Sequence, residues 1–491
     1  MSGYRSALDR HQTVMFPASL DEYVAPDHPV RVIDAFVEGL DMQALEFAHA
    51  QPGALGAPCY DPRALLKLYV YAYLNRLRSS RRLERETHRN VEVMWLLGRQ
   101  TPDHKTISDF RAAHGEALRG VFREFTVICK RLELFGGELV AIDGSKLRAV
   151  NAKHRSFTPD TLRALLKRID ERIAEYLREL DAADRADAAA ALPGSTTVPG
   201  LRGKLDQLQE RREEYQKLLT DLTDTGKSQV TLTDPESRRM KVKQGVEVCY
   251  NAQIAVDSKY HLIVAQDVTN EVTDIQQLAP MAEAAKEALG VSELAAVADA
   301  GYHSDDGVAK CVEKKITPTV PASQTGKAKN AQYFTKADFT YVPERDVYRC
   351  PGEQELPKRS TNEDGSFYYN ISACTACPLR GRCINTTSET QHRRIKRTPH
   401  EGLLDAMAER LRAHPELRVQ RKSLAEHPYG TIKRSDDGGY FFVRGLVKVR
   451  GEFSLMTLAY NLRRAITILG VSKLLHALMP PKTDAFAPLP I

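Results

Sequence analysis

The sequence lacks any run of roughly eighteen apolar residues, the length that a membrane-spanning helix requires. Its first residues also lack the apolar stretch of a secretory signal, so we expect neither a membrane anchor nor secretion. Cysteine is scarce, with 8 residues in 491, which argues against a disulfide scaffold. Four of these cysteines are clustered, which indicates a metal site in a reducing cytoplasm.

The charge balance is mildly basic, with a formal net charge of +6. Such an excess suits a nucleic-acid partner without establishing one. The chain is 42% hydrophobic and long enough for roughly two to four domains with a sizeable core.

Residues 1–135 have a mainly helical pattern. Asp61 can cap a helix that has Pro62 in its first turn and apolar residues at helical spacing beyond it. Short helices with tight turns follow, and one is dense in arginine, which suits a DNA-binding unit of the helix-turn-helix kind. The alternative is a helical bundle whose arginines are simply solvated. The arginines of this stretch are Arg76, Arg78, Arg81, Arg82, Arg85 and Arg89.

The middle of the chain predicts strands. Residues 136–150 form the first, and two helical stripes at 161–180 and 201–222 predict a helical hairpin inserted after it. A β-hairpin, an Ala-rich helix ending at Gly290 and a strand at 294–298 come next. Without the inserted hairpin the order is β-β-β-α-β, which resembles the ribonuclease H-like fold.

Three acidic motifs lie far apart in the chain. Residues 138–146 read ELVAIDGSK, residues 295–302 read AAVADAGY and residues 426–433 read EHPYGTIK. In the first two, an apolar run ends in Asp143 or Asp299, which predicts a carboxylate at a strand end. Two such carboxylates on neighbouring strands, with a third from a helix, can hold two Mg²⁺ ions for phosphoryl chemistry. We expect Pro428 to end the upstream helix, which would leave Glu426 at a helix end.

Taken together, these motifs resemble those of bacterial insertion-sequence transposases of the Asp-Asp-Glu (DDE) type. The strand that reads YNAQ at 250–253 and the segment PDHKTISDFR at 102–111 match as well. The resemblance implies that Asp143, Asp299 and Glu426 hold two Mg²⁺ or Mn²⁺ ions. It also implies double-stranded DNA as partner, both terminal inverted repeats and target DNA, a homo-oligomer on that DNA, and a bacterial cytoplasm with nucleoid association.

The third motif departs from the family pattern Tyr-x₂-Arg-x₃-Glu-x₆-Lys. Lys433 fits, whereas Lys422 stands at the Arg position and Val419 at the Tyr position. The neighbouring Arg421 could supply the guanidinium instead. We therefore expect Lys433 to act in catalysis beside the three acids, as a point charge for a phosphate. The candidate DNA-binding residues are Arg76, Arg81, Arg82, Arg111, Arg421 and Lys422.

The clustered cysteines lie in a segment, 323–400, that is poor in apolar periodicity and reads as loop-like. One pair has the C-x-x-C spacing that tetrahedral Zn²⁺ favours, so we predict a zinc site. Buried thiols without metal and an iron–sulfur cluster are the alternatives. The four residues are Cys350, Cys374, Cys377 and Cys383.

The predicted fold class is α/β, with a ribonuclease H-like core, a mixed sheet with flanking helices, after an all-α N-terminal domain. The expected parts are a DNA-end-binding domain at 1–135, a catalytic domain at 136–322 plus 401–470, a helical-hairpin insertion at 155–240, a Cys-rich insertion at 323–400 and a Pro-rich tail at 471–491. The predicted function is DNA cleavage and strand transfer at insertion-sequence ends. A non-catalytic DNA-binding regulator and a ribonuclease H-like nuclease without strand transfer are the alternatives.

Overall fold

The computed structural model describes residues 19–51, 59–190, 198–322, 333–384, 391–435 and 439–479. Before the first long strand the α-helices are α1 Pro29–Glu38, α2 Pro62–Leu74, α3 Ser80–Arg89, α4 Val91–Leu96, α5 His104–Ala113 and α6 Gly115–Arg131. Those that follow are α7 Pro159–Ala190, α8 Val198–Asp224, α9 Leu278–Leu289, α10 Asp305–Glu313, α11 Ile371–Thr375, α12 Arg380–Cys383, α13 Glu401–Ala413, α14 Glu416–Ser435, α15 Leu446–Leu469 and α16 Val471–Leu478.

The strands of the first half are β1 Leu139–Arg148, β2 Ser156–Phe157, β3 Val230–Thr231, β4 Arg238–Val242, β5 Gly245–Asp257, β6 Ile263–Thr269, β7 Leu294–Val297 and β8 Ile316–Thr319. Those of the Cys-rich segment are β9 Thr340–Val342, β10 Val347–Arg349, β11 Glu355–Asn362, β12 Gly365–Tyr368 and β13 Ile395–Arg397. The chain is thus a mixed α/β protein, as the sequence predicts.

The principal sheet has the order β4-β5-β1-β7-β8, with β6 also paired to β5. β5 runs antiparallel to β1, β4 and β6, whereas β7 runs parallel to both β1 and β8. The two strands that lead to Asp143 and Asp299 are therefore direct neighbours, as the β-β-β-α-β order predicts.

One large hydrophobic core joins the N-terminal helices to the sheet through α15. It includes Phe36 and Phe125 from the N-terminal helices, Ile254 from β5 and Phe453 from α15. α6 and α15 are in close contact at Gly115, where an added Cβ would lie 2.6 Å from the backbone oxygen of Val447. The opposite face of the sheet packs against α9 and α10 in a second core. The domain boundaries themselves stay a prediction.

Helices α7 and α8 pack against each other antiparallel, as the apolar stripes at 161–180 and 201–222 predict. The Arg212 Nε donates to Asp170 Oδ1 at 2.6 Å between them, and Leu162 shares a small core with Leu222.

The Cys-rich segment is not loop-like, which corrects the prediction from its weak apolar periodicity. β9 to β13 form a five-stranded antiparallel sheet in the order β13-β12-β11-β10-β9. Its small core is largely aromatic, with buried Phe339, Tyr348 and Tyr368 beside Leu356 and Ile395. Strands of three to eight residues give too short a periodic signal to recognise in the sequence.

Helix boundaries near the third acidic motif also differ from the prediction. Helix α13 ends at Ala413, and α14 then runs from Glu416 to Ser435 with Pro428 inside it. Glu426 therefore lies within a helix and not at its end. Proline removes one backbone donor. The helix nevertheless continues here, and Pro428 and Tyr429 are buried where α14 packs against β1 and β5.

The C-terminal helices pack on the rest of the chain. Arg463 of α15 donates to the backbone oxygen of Leu74, Arg464 donates to that of Tyr260, and both side chains are half-buried. The predicted Pro-rich tail begins with helix α16, and its prolines lie outside the described residues. In the described part of the chain, no helix combines the length and hydropathy needed to cross a membrane.

Candidate active site at the sheet edge

Asp143 and Asp299 occupy matching positions on two adjacent strands. Ala141 on β1 pairs with Val297 on β7, and each aspartate lies two residues beyond that pair. Asp299 follows the end of its strand as predicted, whereas β1 continues past Asp143 because it stays paired with β5 up to Arg148. The two aspartates therefore lie at the same edge of the sheet, where the charge of Asp299 acts on Asp143.

The Asp143 carboxylate is mostly shielded, with 18% of its side chain exposed. Burial raises its pKa to about 6, and the negative charge of Asp299 acts in the same direction against the opposing Arg421 guanidinium. Arg421 Nη1 lies 3.6 Å from Asp143 Oδ1. Tyr429 lies on α14, as Arg421 does. Its hydroxyl donates to the backbone oxygen of Ala252, at 2.5 Å, and to that of Asp143, at 3.3 Å.

Asp299 caps a short 3-10 turn, Ala300–Tyr302, by accepting the Gly301 N–H at 2.8 Å. An open groove begins at this turn and runs between the ends of β7 and β8 and helices α13 and α14. Arg418 and Arg421 line it, with Pro321 on the opposite side. The groove therefore joins an acidic residue to two cationic side chains.

Glu426 is exposed on α14, the helix that packs against β1, β5 and β7. It lies one helical turn before Tyr429, which reaches Asp143. Lys433 lies further along α14, where burial and the nearby Lys243 lower its pKa against the opposing charge of Asp143. Among the described residues, no three His, Cys, Asp or Glu side chains are already arranged to hold a metal ion.

A fourth carboxylate, Asp274, is part of this site and was missed in the sequence. It lies between β6 and α9 and forms an ion pair with Lys146, with 3.1 Å between Nζ and Oδ1. Asn251 and Gln253 of the YNAQ strand donate to the same oxygen. The sequence feature that could have pointed to Asp274 was this pair of amide side chains on an otherwise apolar strand, because buried polar groups require partners.

The candidate DNA-binding residues fall into three groups. Arg76, Arg81, Arg82 and Lys422 are exposed. Arg421 is paired with Asp143. Arg111 is buried, which corrects its assignment to the DNA interface.

The buried Arg111 belongs to an ionic cluster around Glu452 of α15. Glu452 Oε1 lies 3.5 Å from Arg111 Nη1 and 2.9 Å from Arg78 Nη2, and Tyr73 donates to it at 2.8 Å. The other carboxylate oxygen accepts the backbone N–H of Phe442 and of Val443. Burial would raise the pKa of Glu452, but the two guanidinium groups and the Phe442 N–H hold it below its usual value. A residue so placed is structural.

The four clustered cysteines surround one small cavity beside α11 and α12. Cys350, Cys374, Cys377 and Cys383 all line it, with Arg380 and Arg393 at its border. Burial raises the pKa of the Cys383 thiol to about 11, and the three other thiols add to this effect. Cysteines 24 or more positions apart in sequence, such as 350 and 374, therefore line the same cavity, although among the described residues they are not yet arranged as a metal site.

Two family models match separate parts of the chain. The Transposase domain (DUF772) matches residues 18–113, which include the arginine-rich helix α3. The Transposase DDE domain matches residues 349–466, which include the four cysteines and Glu426. Comparison with the curated proteins and with the solved structures found no match.

Proposed function

We propose that the chain cleaves and joins DNA at the ends of an insertion sequence. The premise is that the chain is an insertion-sequence transposase of the DDE type, as both family matches support. Asp143, Asp299 and Glu426 are the proposed catalytic acids. The observation that carries the proposal is the register of β1 and β7, which sets two carboxylates side by side under the helix that bears Glu426. Family membership alone would assign the reaction class but not these residues.

The donor set suits hard divalent cations. Carboxylate oxygens are the ligands that Mg²⁺ prefers, and Mn²⁺ accepts them as well. Burial raises the pKa of Asp143, and the like charge of Asp299 adds to this rise, so a bound cation would favour the ionised pair. Asp143, Asp299 and Glu426 are the residues that would hold two such ions, which when bound make a hydroxyl group a stronger nucleophile and stabilise the leaving oxygen.

The cationic side chains around the acids suit the DNA backbone. We propose that Lys433 contacts a phosphate close to the reacting one, since its partly shielded ammonium lies within the electrostatic reach of Asp143. Arg421 and Arg418 line the groove that starts at Asp299, and a guanidinium can bind a phosphate through two parallel hydrogen bonds. Arg421 would then exchange its contact with Asp143 for one with DNA, and Lys422 would act beside it from the exposed face of α14.

The topology supports a ribonuclease H-like core. Strand β6 lies next to β5, then β1, β7 and β8, with the first three antiparallel and the last three parallel. This is the arrangement that the β-β-β-α-β order leads one to expect, and α7 and α8 lie between the first two long strands as an insertion.

Binding of the element's ends is assigned to the N-terminal helices. Arg81 and Arg82 are exposed on α3, and Arg76 is exposed just before it, so their charges are available to phosphates. Because two ends must be brought together for joining, we propose that the protein acts as a homo-oligomer on the inverted repeats and on target DNA, in association with the bacterial nucleoid.

The cysteine cavity is proposed as a Zn²⁺ site. Four thiols around one small cavity, two of them in C-x-x-C spacing, form a donor set that zinc binds tetrahedrally. The aromatic core beside it is small, so a metal would add to the stability of this sheet.

The deciding experiment is a cleavage and joining assay with DNA that carries the native ends of the element. The purified protein should cut at the ends only with Mg²⁺ or Mn²⁺, and the released 3′ ends should appear joined to target DNA. Cleavage without joining would favour a nuclease of the same fold. End binding without cleavage, at any metal concentration, would favour a regulator.

A further inference from the structure

We infer that Asp274 is a positioning residue of the candidate active site, which fixes the strand that carries Asp143 relative to the turn that carries Asp299. The inference rests on the proposed function, because it adds a residue to a site whose chemistry is itself proposed.

Asp274 is held by three donors from two strands. Its Oδ1 accepts from Asn251 Nδ2 at 2.7 Å and from Gln253 Nε2 at 2.8 Å, both on β5. Lys146 of β1 supplies the third donor, with Nζ 3.1 Å from Oδ1 and 3.5 Å from Oδ2. Only 24% of the Asp274 side chain is exposed, so these bonds are largely shielded from water.

The same network reaches the turn that carries Asp299. Gln253 Oε1 accepts a short hydrogen bond from the Tyr302 hydroxyl, and Tyr302 is the last residue of the 3-10 turn capped by Asp299. A Cβ added to Gly301 would lie 2.9 Å from Asp299 Oδ1 and 3.9 Å from Asp274 Oδ2. The two carboxylates therefore border the same small space above this glycine.

On the other side, the network touches the backbone beside Asp143. Gly144 pairs with Gln253 across the sheet. A Cβ at Gly144 would lie 2.8 Å from Asp274 Oδ1 and 2.9 Å from the Tyr302 hydroxyl, closer than real Cβ atoms approach. The residue after Asp143 can therefore carry no side chain while this network is in place.

The bonding of Asp274 favours positioning over metal ligation. Three donors already occupy Oδ1, and the Lys146 ammonium neutralises the carboxylate charge. Such outer-shell partners orient ligands, and their substitution typically lowers metal affinity or activity about 10- to 100-fold. An amide in place of this carboxylate would bring an NH₂ group next to three other donors, with which it cannot form hydrogen bonds.

The test measures end cleavage by the full-length protein against Mg²⁺ concentration. Asp274→Asn should lower the maximal rate about 10- to 100-fold and raise the half-saturating Mg²⁺ concentration. Tyr302→Phe keeps the buried ring and removes only the hydroxyl to Gln253, so it should change both quantities in the same direction by less. Asp306→Asn is the matched control, since its side chain is 77% exposed on α10 and should leave both unchanged.

A merely structural role would lower the melting temperature without moving the half-saturating Mg²⁺ concentration of the folded protein. Wild-type Mg²⁺ curves for folded Asp274→Asn and Tyr302→Phe would overturn the inference. Complete loss of cleavage in Asp274→Asn at every Mg²⁺ concentration, equal to that of Asp143→Asn, would overturn it in favour of direct ligation. If Asp274→Asn does not fold, Tyr302→Phe decides alone. Retained cleavage in Asp143→Asn would instead refute the proposed function.

Discussion

Asp143 is surrounded by groups that act on it in opposite directions. Burial and the charge of Asp299 raise its pKa, whereas the Arg421 guanidinium favours its charged form. Tyr429 holds the backbone of the same residue from the helix above. A carboxylate so balanced gains by pairing with a cation, as the proposed metal-dependent chemistry would require.

Replacing any of the three proposed acids should reduce DNA cleavage much more than DNA binding. Asp143→Ala, Asp299→Ala and Glu426→Ala should each lower end cleavage by more than the roughly 100-fold expected of outer-shell groups. End binding should persist, because other surfaces position the DNA. Gel-shift and cleavage assays on the same preparations measure both. Wild-type cleavage in Glu426→Ala would move the third acid elsewhere, and an equal loss of binding in all three folded variants would contradict the assignment.

The ionic cluster around Glu452 leads to a prediction about stability. Glu452→Gln leaves the Arg78 and Arg111 guanidinium groups buried without a carboxylate. Breaking such a pair from one side costs about 3–5 kcal/mol. Urea unfolding should show this loss, whereas Glu116→Gln, on the surface pair with Arg119, should change the unfolding free energy by about 0.5 kcal/mol or less. Equal losses of unfolding free energy for the two substitutions would show that the buried cluster stabilises the fold no more than the surface pair does.

Among the helices, α3 exposes cationic side chains in a part of the chain that matches a transposase domain. The double substitution Arg81→Ala with Arg82→Ala should weaken end binding and flatten its salt dependence. Each lost phosphate contact lowers the slope of log K against log salt by about one unit. Arg163→Ala with Arg168→Ala removes the same charge from α7 and is the matched control. Equal slopes of log K against log salt for the wild type and both double variants would mean that the arginines of α3 do not contact DNA phosphates.

The five-stranded sheet of the Cys-rich segment should contain one zinc ion per chain. Elemental analysis of protein purified without chelator should find it, and Cys374→Ser with Cys377→Ser should lose it, because two of four ligands are removed. Cys59→Ser, at an exposed cysteine, is the control. Less than about a tenth of a zinc per wild-type chain, against one for a four-ligand site, would contradict the prediction. Equal zinc in the double variant would place the metal elsewhere.

Local patterns predicted the long elements well. The cap at Asp61, the stop at Gly290 and the stripes of α7 and α8 each depend on residues only a few positions apart in sequence. That β1 and β7 are adjacent strands was also predictable, because the order of elements restricts the topology.

Long-range packing explains what the sequence did not reveal. Arg111 resembles a surface arginine until Glu452, 341 residues later, supplies its partner (452 − 111 = 341). The helix through Pro428 continues because the sheet packs against it. Asp274 becomes part of the site only when β1 and β5 bring Lys146, Asn251 and Gln253 together. Such partners are set by the fold, and for Arg111 the residues around it in sequence do not reveal its partner.

At the scale of the whole molecule, the N-terminal helices and the sheet are parts of one packed body. Tyr73 of α2 donates to Glu452 of α15, and Arg463 of α15 donates to the backbone oxygen of Leu74. The central core includes side chains from α1, α2, α6, β5, β6 and α15. In contrast, the Cys-rich sheet has a separate core. Helix α3, the proposed DNA-end-binding element, shares this central core through Leu83 with the sheet that carries Asp143.

This shared core predicts that residues 1–135 do not fold alone. Cutting the chain between α6 and β1 would expose the faces of α2 and α6 that pack on α15, including the close contact at Gly115 and Gly451. The fragment should therefore lack a cooperative thermal transition by circular dichroism, because its apolar surface has no cover. Co-expression with residues 136–491 should restore a complex that unfolds cooperatively, since the cut breaks one covalent bond and leaves both halves of the shared core present. A cooperative transition for 1–135 alone, with end binding equal to that of the full chain, would establish an autonomous DNA-binding domain and contradict the shared core.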